Sequence, residues 1–165
     1  MFYFAYGSNM DPRQMKMRCP SSRFDCVALL PDHKISFTLR SKRRRCGVAN
    51  IVSSTGSEVF GVLYKINGSR DWEVLDAAEG FQPSNKRGNT YIRTTRNVQK
   101  QGKFSTHVTA YIYIGVIERS PPLPNKAYLK QMITGAEQCQ LPDYYLQSLK
   151  AVSYTHLRAH ETRED

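Results

Sequence analysis

Two short stretches carry residue types that could do chemistry. Phe2 to Ala5 reads as a buried strand, and it is broken at once by Tyr6-Gly7-Ser8-Asn9, a polar loop followed by Asp11-Pro12. Such a loop is either a plain connecting turn or a place where backbone N–H groups are held open for an anionic ligand. The second stretch is Leu75-Asp76-Ala77-Ala78-Glu79-Gly80. Its glutamate falls in the last turn of a predicted helix, where the macrodipole is negative and carboxylates are disfavoured. A residue that breaks a local rule is a candidate for function, although surface exceptions are common.

The elements that must position these residues follow from pattern. Asp11 is placed to cap a short helix with Pro12 at its first position, running through Met15, Met17 and Arg18 to Cys19-Pro20. Strands are predicted at Phe24 to Leu30, Lys34 to Leu39, Gly47 to Val52 and Glu58 to Ile66. Ser69 is expected to cap a helix through Trp72, Leu75 and Ala78, with Gly80 as its left-handed stop. After a polar loop from Gln82 to Asn89 come strands at Thr90 to Asn97 and Ser105 to Ile114, in which Tyr111 and Tyr113 read as packing residues. Pro121-Pro122-Leu123-Pro124 is a stiff connector to two closing helices, Lys126 to Gln138 and Pro142 to Val152. Many short strands in the middle with helices at several junctions indicate an α+β fold around a strongly curved or closed sheet.

The chain of 165 residues suits one domain with a proper core. Its apolar stretches, such as Val27 to Leu30 and Thr109 to Ile117, are too short to span a bilayer, so no membrane is expected. No secretory signal is apparent at the N-terminus. Cys19, Cys26, Cys46 and Cys139 are scattered without metal-ligand spacing, which makes reduced thiols in the cytoplasm the default and a metal unexpected. The formal net charge is +10, and the densest basic run is Arg40-Ser41-Lys42-Arg43-Arg44-Arg45. No nucleic-acid motif accompanies it, so it reads as a solvated hairpin tip and no nucleic-acid partner is expected.

Tyr3-Phe4-Ala5-Tyr6-Gly7-Ser8-Asn9, Leu75-Asp76-Ala77-Ala78-Glu79-Gly80, and Tyr128-Leu129-Lys130 leading to Gly135-Ala136 and Leu141-Pro142 together resemble the γ-glutamylcyclotransferase family, in order and in spacing. The resemblance runs from Phe2 to about Val152, so residues 1–152 form the expected domain. It implies a small mixed β-barrel with flanking helices and a homodimer. It also implies an enzyme without a cofactor that converts γ-glutamyl amino acids to 5-oxoproline and releases the amino acid, as part of glutathione metabolism. Carried over residue by residue, Glu79 is the general acid/base; Tyr3, Phe4, Ala5, Tyr6, Gly7 and Ser8 bind the γ-glutamyl group; and Tyr128 is a further substrate contact. Asp71, Glu73 and Asp76 are rival carboxylates that rank lower, since they miss the family's glutamate position and read as helix-surface residues.

The implied chemistry fits both stretches. A γ-glutamyl group has an α-carboxylate for which N–H donors are needed, and the loop is expected to enter a helix N-terminus whose dipole favours the anion. Its ammonium must lose a proton before it can attack the γ-carbonyl, which calls for a base; burial beside Trp72 or Phe81 is expected to raise the pKa of Glu79. Alternatives on the same fold are a γ-glutamylamine or glutathione-specific cyclotransferase, and a binding protein without catalysis. The basic run and the long loop from Gln82 to Asn89 depart from the family's pattern. Ser153 to Asp165 does not continue its C-terminal segment and resembles translated adapter sequence, so its His156 and His160 are not read as metal ligands.

Overall fold

The computed structural model describes residues 1–85, 87–102 and 105–164, with the backbone alone at 153, 154 and 156–164. Five strands close into a barrel: β1 (Phe2–Ala5), β2 (Arg23–Ser41), β3 (Cys46–Lys65), β4 (Tyr91–Lys100) and β5 (His107–Gly115), in the order β1-β3-β2-β4-β5. All pairs are antiparallel except β1 with β5, which closes the barrel through Phe2 opposite Ala110 and Tyr3 opposite Tyr111. The expected mixed barrel is therefore present. Phe4, Leu63, Val59 and Ile112 are fully buried in its core, each such side chain contributing about 1.5–3 kcal/mol.

Where four strands are expected between Phe24 and Ile66, the structure has two long ones. Beyond Pro31, paired with Glu58, the ladder resumes at His33 opposite Ser53, so β3 carries the extra residues of a wide irregularity. Asp32 (φ 58) and Gly56 (φ 81) absorb the bend, and the Gly56 N–H donates to the Asp32 side chain at 3.0 Å. The turn residues bend a continuous hairpin instead of ending its strands. The hairpin's outer half folds back over the barrel mouth. There the buried Asn50 exchanges hydrogen bonds with the Gly115 backbone (2.9 and 3.1 Å), as a neighbouring strand would. The prolines of the connector pack directly against Gly47, where a Cβ would lie 2.0 Å from the Pro122 carbonyl oxygen, and Gly47 N–H donates to the Leu123 carbonyl.

Four helices flank the barrel: α1 (Pro12–Arg18), α2 (Ser69–Ala78), α3 (Lys126–Gln138) and α4 (Asp143–Glu164). Asp11 caps α1 by accepting from Arg13 N–H at 3.0 Å, with Pro12 at the first position as expected. Helix α2 starts one residue earlier than its expected cap: Gly68 is the N-cap, no side chain caps it, and Ser69 is already helical. Its end is as predicted, with Glu79 in the C-cap position and Gly80 at φ +64. Helix α4 continues well past Val152. None of the helices in the described residues is long and apolar enough to cross a membrane.

Candidate active site

A cavity of about 650 Å³ opens at the mouth of the barrel, within the size range of small-ligand sites. Its inner wall is made by Tyr3, the loop Tyr6 to Asn9, the end of α2 at Glu79, and Tyr128 at the start of α3. Five of the seven expected substrate-binding residues therefore meet the expected acid/base residue. Phe4 and Ala5 do not. Both are buried in the barrel core and neither lines the cavity, since β-strand alternation turns Phe4 away from the face that Tyr3 presents.

The loop owes its shape to Gly7. A Cβ there would stand 3.2 Å from the Tyr128 hydroxyl oxygen, which itself accepts the Ala49 N–H at 2.9 Å. Among the described residues, the N–H groups of Gly7, Ser8 and Asn9 have no acceptor within the protein. The loop does not enter an α-helix: a single 3₁₀ turn, Ser8–Met10, intervenes before α1. Free N–H groups, and not an aligned helix dipole, are what this wall offers an anion.

Glu79 is half-buried at the cavity wall and accepts a hydrogen bond from the Asn9 side-chain amide at 3.0 Å. The same amide nitrogen donates to the Tyr3 hydroxyl at 3.0 Å. The Asn9 oxygen accepts from Gln14 at 2.7 Å and from Arg18 at 2.8 Å. A guanidinium can only donate, so Arg18 fixes which end of the amide faces Glu79. Burial pushes the Glu79 carboxyl up to about 7, against the opposing pull of Arg18, Arg44 and Arg43. The direction is the expected one, but the surroundings differ. Trp72 and Phe81 do not line the cavity; their rings lie against Arg93, with centroids 5.3 and 5.8 Å from its guanidinium carbon. Burial raises Tyr3, Tyr6 and Tyr91 far above the ordinary tyrosine value, so they remain neutral hydrogen-bonding groups.

The rival carboxylates on α2 separate. Glu73 is exposed. Asp71 and Asp76 are buried, which corrects their reading as surface residues, because α2 turns them toward neighbouring strands and loops. Both are already engaged. Asp71 accepts from the Ser21 N–H (2.9 Å) and hydroxyl, while Asp76 accepts from Arg93 at 3.0 and 3.1 Å and from the Tyr113 hydroxyl at 2.5 Å. Tyr113 thus lines the cavity and also orders its floor, a role its strand alternation concealed.

The larger surprise is the outer wall. The residues from Arg40 to Arg44 at the tip of the β2–β3 hairpin line the cavity, which corrects their reading as a freely solvated tip. Arg44 donates to Gln14 at 3.0 Å and lies over the Tyr128 ring at 5.1 Å. The fold-back of the hairpin brings this run, 35 to 39 residues before Glu79 in sequence, to the cavity that Glu79 lines. Asn9 and Arg18 are further site residues that the sequence reading left out, although Asn9 stands inside the motif and its burial at 3% exposure marks it as more than a turn former. Among the described residues no group of three or more His, Cys, Asp and Glu gathers as a metal site. The side chains of His156 and His160 lie outside the described residues. None of the four cysteines is in a disulfide.

Comparison with known proteins adds a match at the level of the whole chain. Residues 58–149 match the AIG2-like family. The chain is 35% identical over 154 residues to the gamma-glutamylcyclotransferases of Mus musculus and Homo sapiens, an overlap covering 91% of this chain and 77% of each relative. A solved structure described as a gamma-glutamyl cyclotransferase superposes with a TM-score of 0.81 at 31% identity, covering 92% of this chain and 86% of that one.

Proposed function

The chain belongs to the γ-glutamylcyclotransferase family, and from that premise we propose that it cyclises γ-glutamyl amino acids to 5-oxoproline and releases the free amino acid. The observation that carries this reading is the single carboxylate with a pKa raised to about 7 beside a loop of free backbone N–H groups. In this proposal the N–H groups of Gly7, Ser8 and Asn9 take the substrate α-carboxylate. Glu79 accepts a proton from the α-ammonium, and the freed amine attacks the γ-carbonyl carbon. As the γ-amide C–N bond breaks, Glu79 returns that proton to the departing nitrogen, and the ring nitrogen, left with two hydrogens by the attack, gives up its second proton through solvent to the released amine, which leaves as an ammonium. Because the nucleophile belongs to the substrate, the remaining work is to hold the γ-glutamyl chain folded for attack, and Tyr3, Tyr6 and Tyr128 form the walls that would do so.

A pKa near 7 suits both halves of that cycle, since the group must be deprotonated to begin and protonated to finish. The rate should accordingly fall as pH drops through about 7. Assembly as a homodimer and a place in glutathione metabolism belong to the same proposal and rest on the family resemblance, and action in the cytoplasm rests on the scattered cysteines. The test is release of 5-oxoproline from γ-glutamyl-alanine, a γ-glutamylamine and glutathione, assayed side by side. Turnover of the first above the other two supports the proposal. Turnover of the amine or of glutathione alone would replace it by the corresponding specificity, and binding without turnover of any would make this a non-catalytic member of the fold.

A further inference from the structure

The hairpin tip gives the cavity a charge balance that the γ-glutamyl group alone does not use. Among the described residues, five cations, Arg18, Arg40, Lys42, Arg43 and Arg44, line the cavity against two carboxylates, Glu79 and Glu118. Three of the five are partly committed: Arg40 lies 3.4 Å from Glu118, Arg18 binds Asn9, and Arg44 binds Gln14 while stacking on Tyr128. Lys42 and Arg43 are exposed and, among the described residues, have neither a hydrogen bond nor an ion pair. The γ-glutamyl head carries one ammonium and one carboxylate, so it leaves that excess untouched.

We infer that the hairpin tip is a second anion subsite, which receives the leaving amino acid and selects one with two carboxylates, as in γ-glutamyl-glutamate or γ-glutamyl-aspartate. The inference rests on the cyclotransferase reading, since it assigns the other half of the same substrate. Glu79, the loop Tyr6 to Asn9 and residues 40–44 line the same cavity, so a head bound at the loop leaves its γ-amide substituent in a space that the tip also lines. The turn is held by the Ser41 side chain, whose hydroxyl accepts from the Arg44 N–H at 3.1 Å, which leaves the Lys42 and Arg43 side chains free to move onto a ligand. The reaction stays balanced: one C–N bond forms in the ring, one breaks at the γ-amide, and the two protons lost by the attacking nitrogen, one by way of Glu79 and one through solvent, end on the amine of the released glutamate. A charged donor–acceptor contact in a partly water-filled mouth sets the scale of the preference at about tenfold.

The test compares γ-glutamyl-glutamate with γ-glutamyl-glutamine, which has the same shape without the second charge. At low ionic strength kcat/KM should be about tenfold higher for the glutamate compound, and the ratio should narrow in 0.5 M salt, on the order of a Debye length of a few ångströms. The double variant Lys42→Ser/Arg43→Ser should bring the ratio close to one, with its fold checked by circular dichroism. A ratio at or below one in the wild type, or a ratio unchanged in the double variant, overturns the subsite while leaving cyclisation intact. If neither compound yields 5-oxoproline, the cyclotransferase reading fails instead. Calorimetric binding of both compounds to Glu79→Gln then still reads the tip, and equal affinities would overturn it.

Discussion

The middle and the end of α2 each present a carboxylate to the barrel, one turn apart, and the two are treated in opposite ways. Asp76 receives two hydrogen bonds from Arg93 and one from Tyr113, and Arg93 is itself enclosed by Trp72, Phe81 and Tyr111. Glu79 receives one neutral donor, Asn9, and among the described residues Arg18, Arg44 and Arg43 pull on it without forming an ion pair. A fully paired carboxylate is a structural tie. One that is desolvated but left short of partners is held ready to exchange a proton. What separates the two residues is therefore the set of donors the fold withholds, which neither residue type nor burial would show by itself.

The sharpest way to break this comparison is Glu79→Gln. Gln keeps the size and can still accept from Asn9, but it has no proton to exchange, so kcat should fall by about two orders of magnitude or more with the fold intact. A steady-state assay beside a circular dichroism spectrum checks it. Turnover near wild type would remove Glu79 from the reaction and return the question to Asp76.

Asp76→Asn should do the reverse. It leaves the Arg93 guanidinium, among three aromatic rings, without its counter-charge, at a cost of about 2–4 kcal/mol for a partly buried pair. Urea unfolding should register that loss, while kcat of the folded protein drops far less than in Glu79→Gln. An unchanged stability together with abolished turnover would exchange the two roles.

That contrast also marks how far the sequence could be read. Tyr6 to Ser8, Glu79 and the end of α2 were legible because their signals are local: a strand broken by glycine, and a carboxylate at the wrong helix end followed by Gly80. The bounds of α3 were legible for the same reason, with Asn125 capping through the Tyr128 N–H at 2.9 Å. The outer wall was not. Whether Arg43 and Arg44 face water or a cavity depends on the bend at Asp32 and Gly56, and turn residues inside a continuous hairpin look like the ends of strands. Asn9 was passed over because asparagine after Gly-Ser is what any turn would contain, and only its contacts with Glu79 and Arg18 distinguish it. The pairing of Asp76 with Arg93 likewise joins α2 to β4, beyond the reach of helix periodicity.

A smaller effect sharpens the comparison from the side of stability. The Glu79 carboxyl titrates at about 7 in the folded protein against an ordinary 4.5, so between these values the folded state holds the proton more tightly than the unfolded chain. Stability therefore decreases as pH rises through that window, and above pH 7 the ionised carboxylate costs about 1–3 kcal/mol, after allowance for water in the cavity. Glu79→Gln has nothing to ionise. It should be more stable than wild type at pH 8, and the advantage should vanish below pH 4.5. Unfolding midpoints at the two pH values check this, and an advantage of the same size at both would mean that packing and not ionisation is responsible.

The smallest expected effect sets the baseline for the others. Among the described residues, helix α4 supplies none to the lining of the cavity. Its buried anchors among the described side chains are Tyr145, Leu146 and Leu149, whereas Lys150, Ala151 and Val152 are exposed. Removing Ser153 to Asp165 takes away Tyr154 and Leu157 as the only sizeable apolar side chains, too few to repay the ordering of thirteen residues. The shortened protein should melt within about 2–4 °C of the full chain and cyclise the same substrates at the same rate. It would then serve as the reference in which Glu79→Gln and Asp76→Asn keep their opposite signatures. A large loss of stability would extend the domain beyond Val152, and a loss of turnover would bring the C-terminal segment, with His156 and His160, into the account of the site.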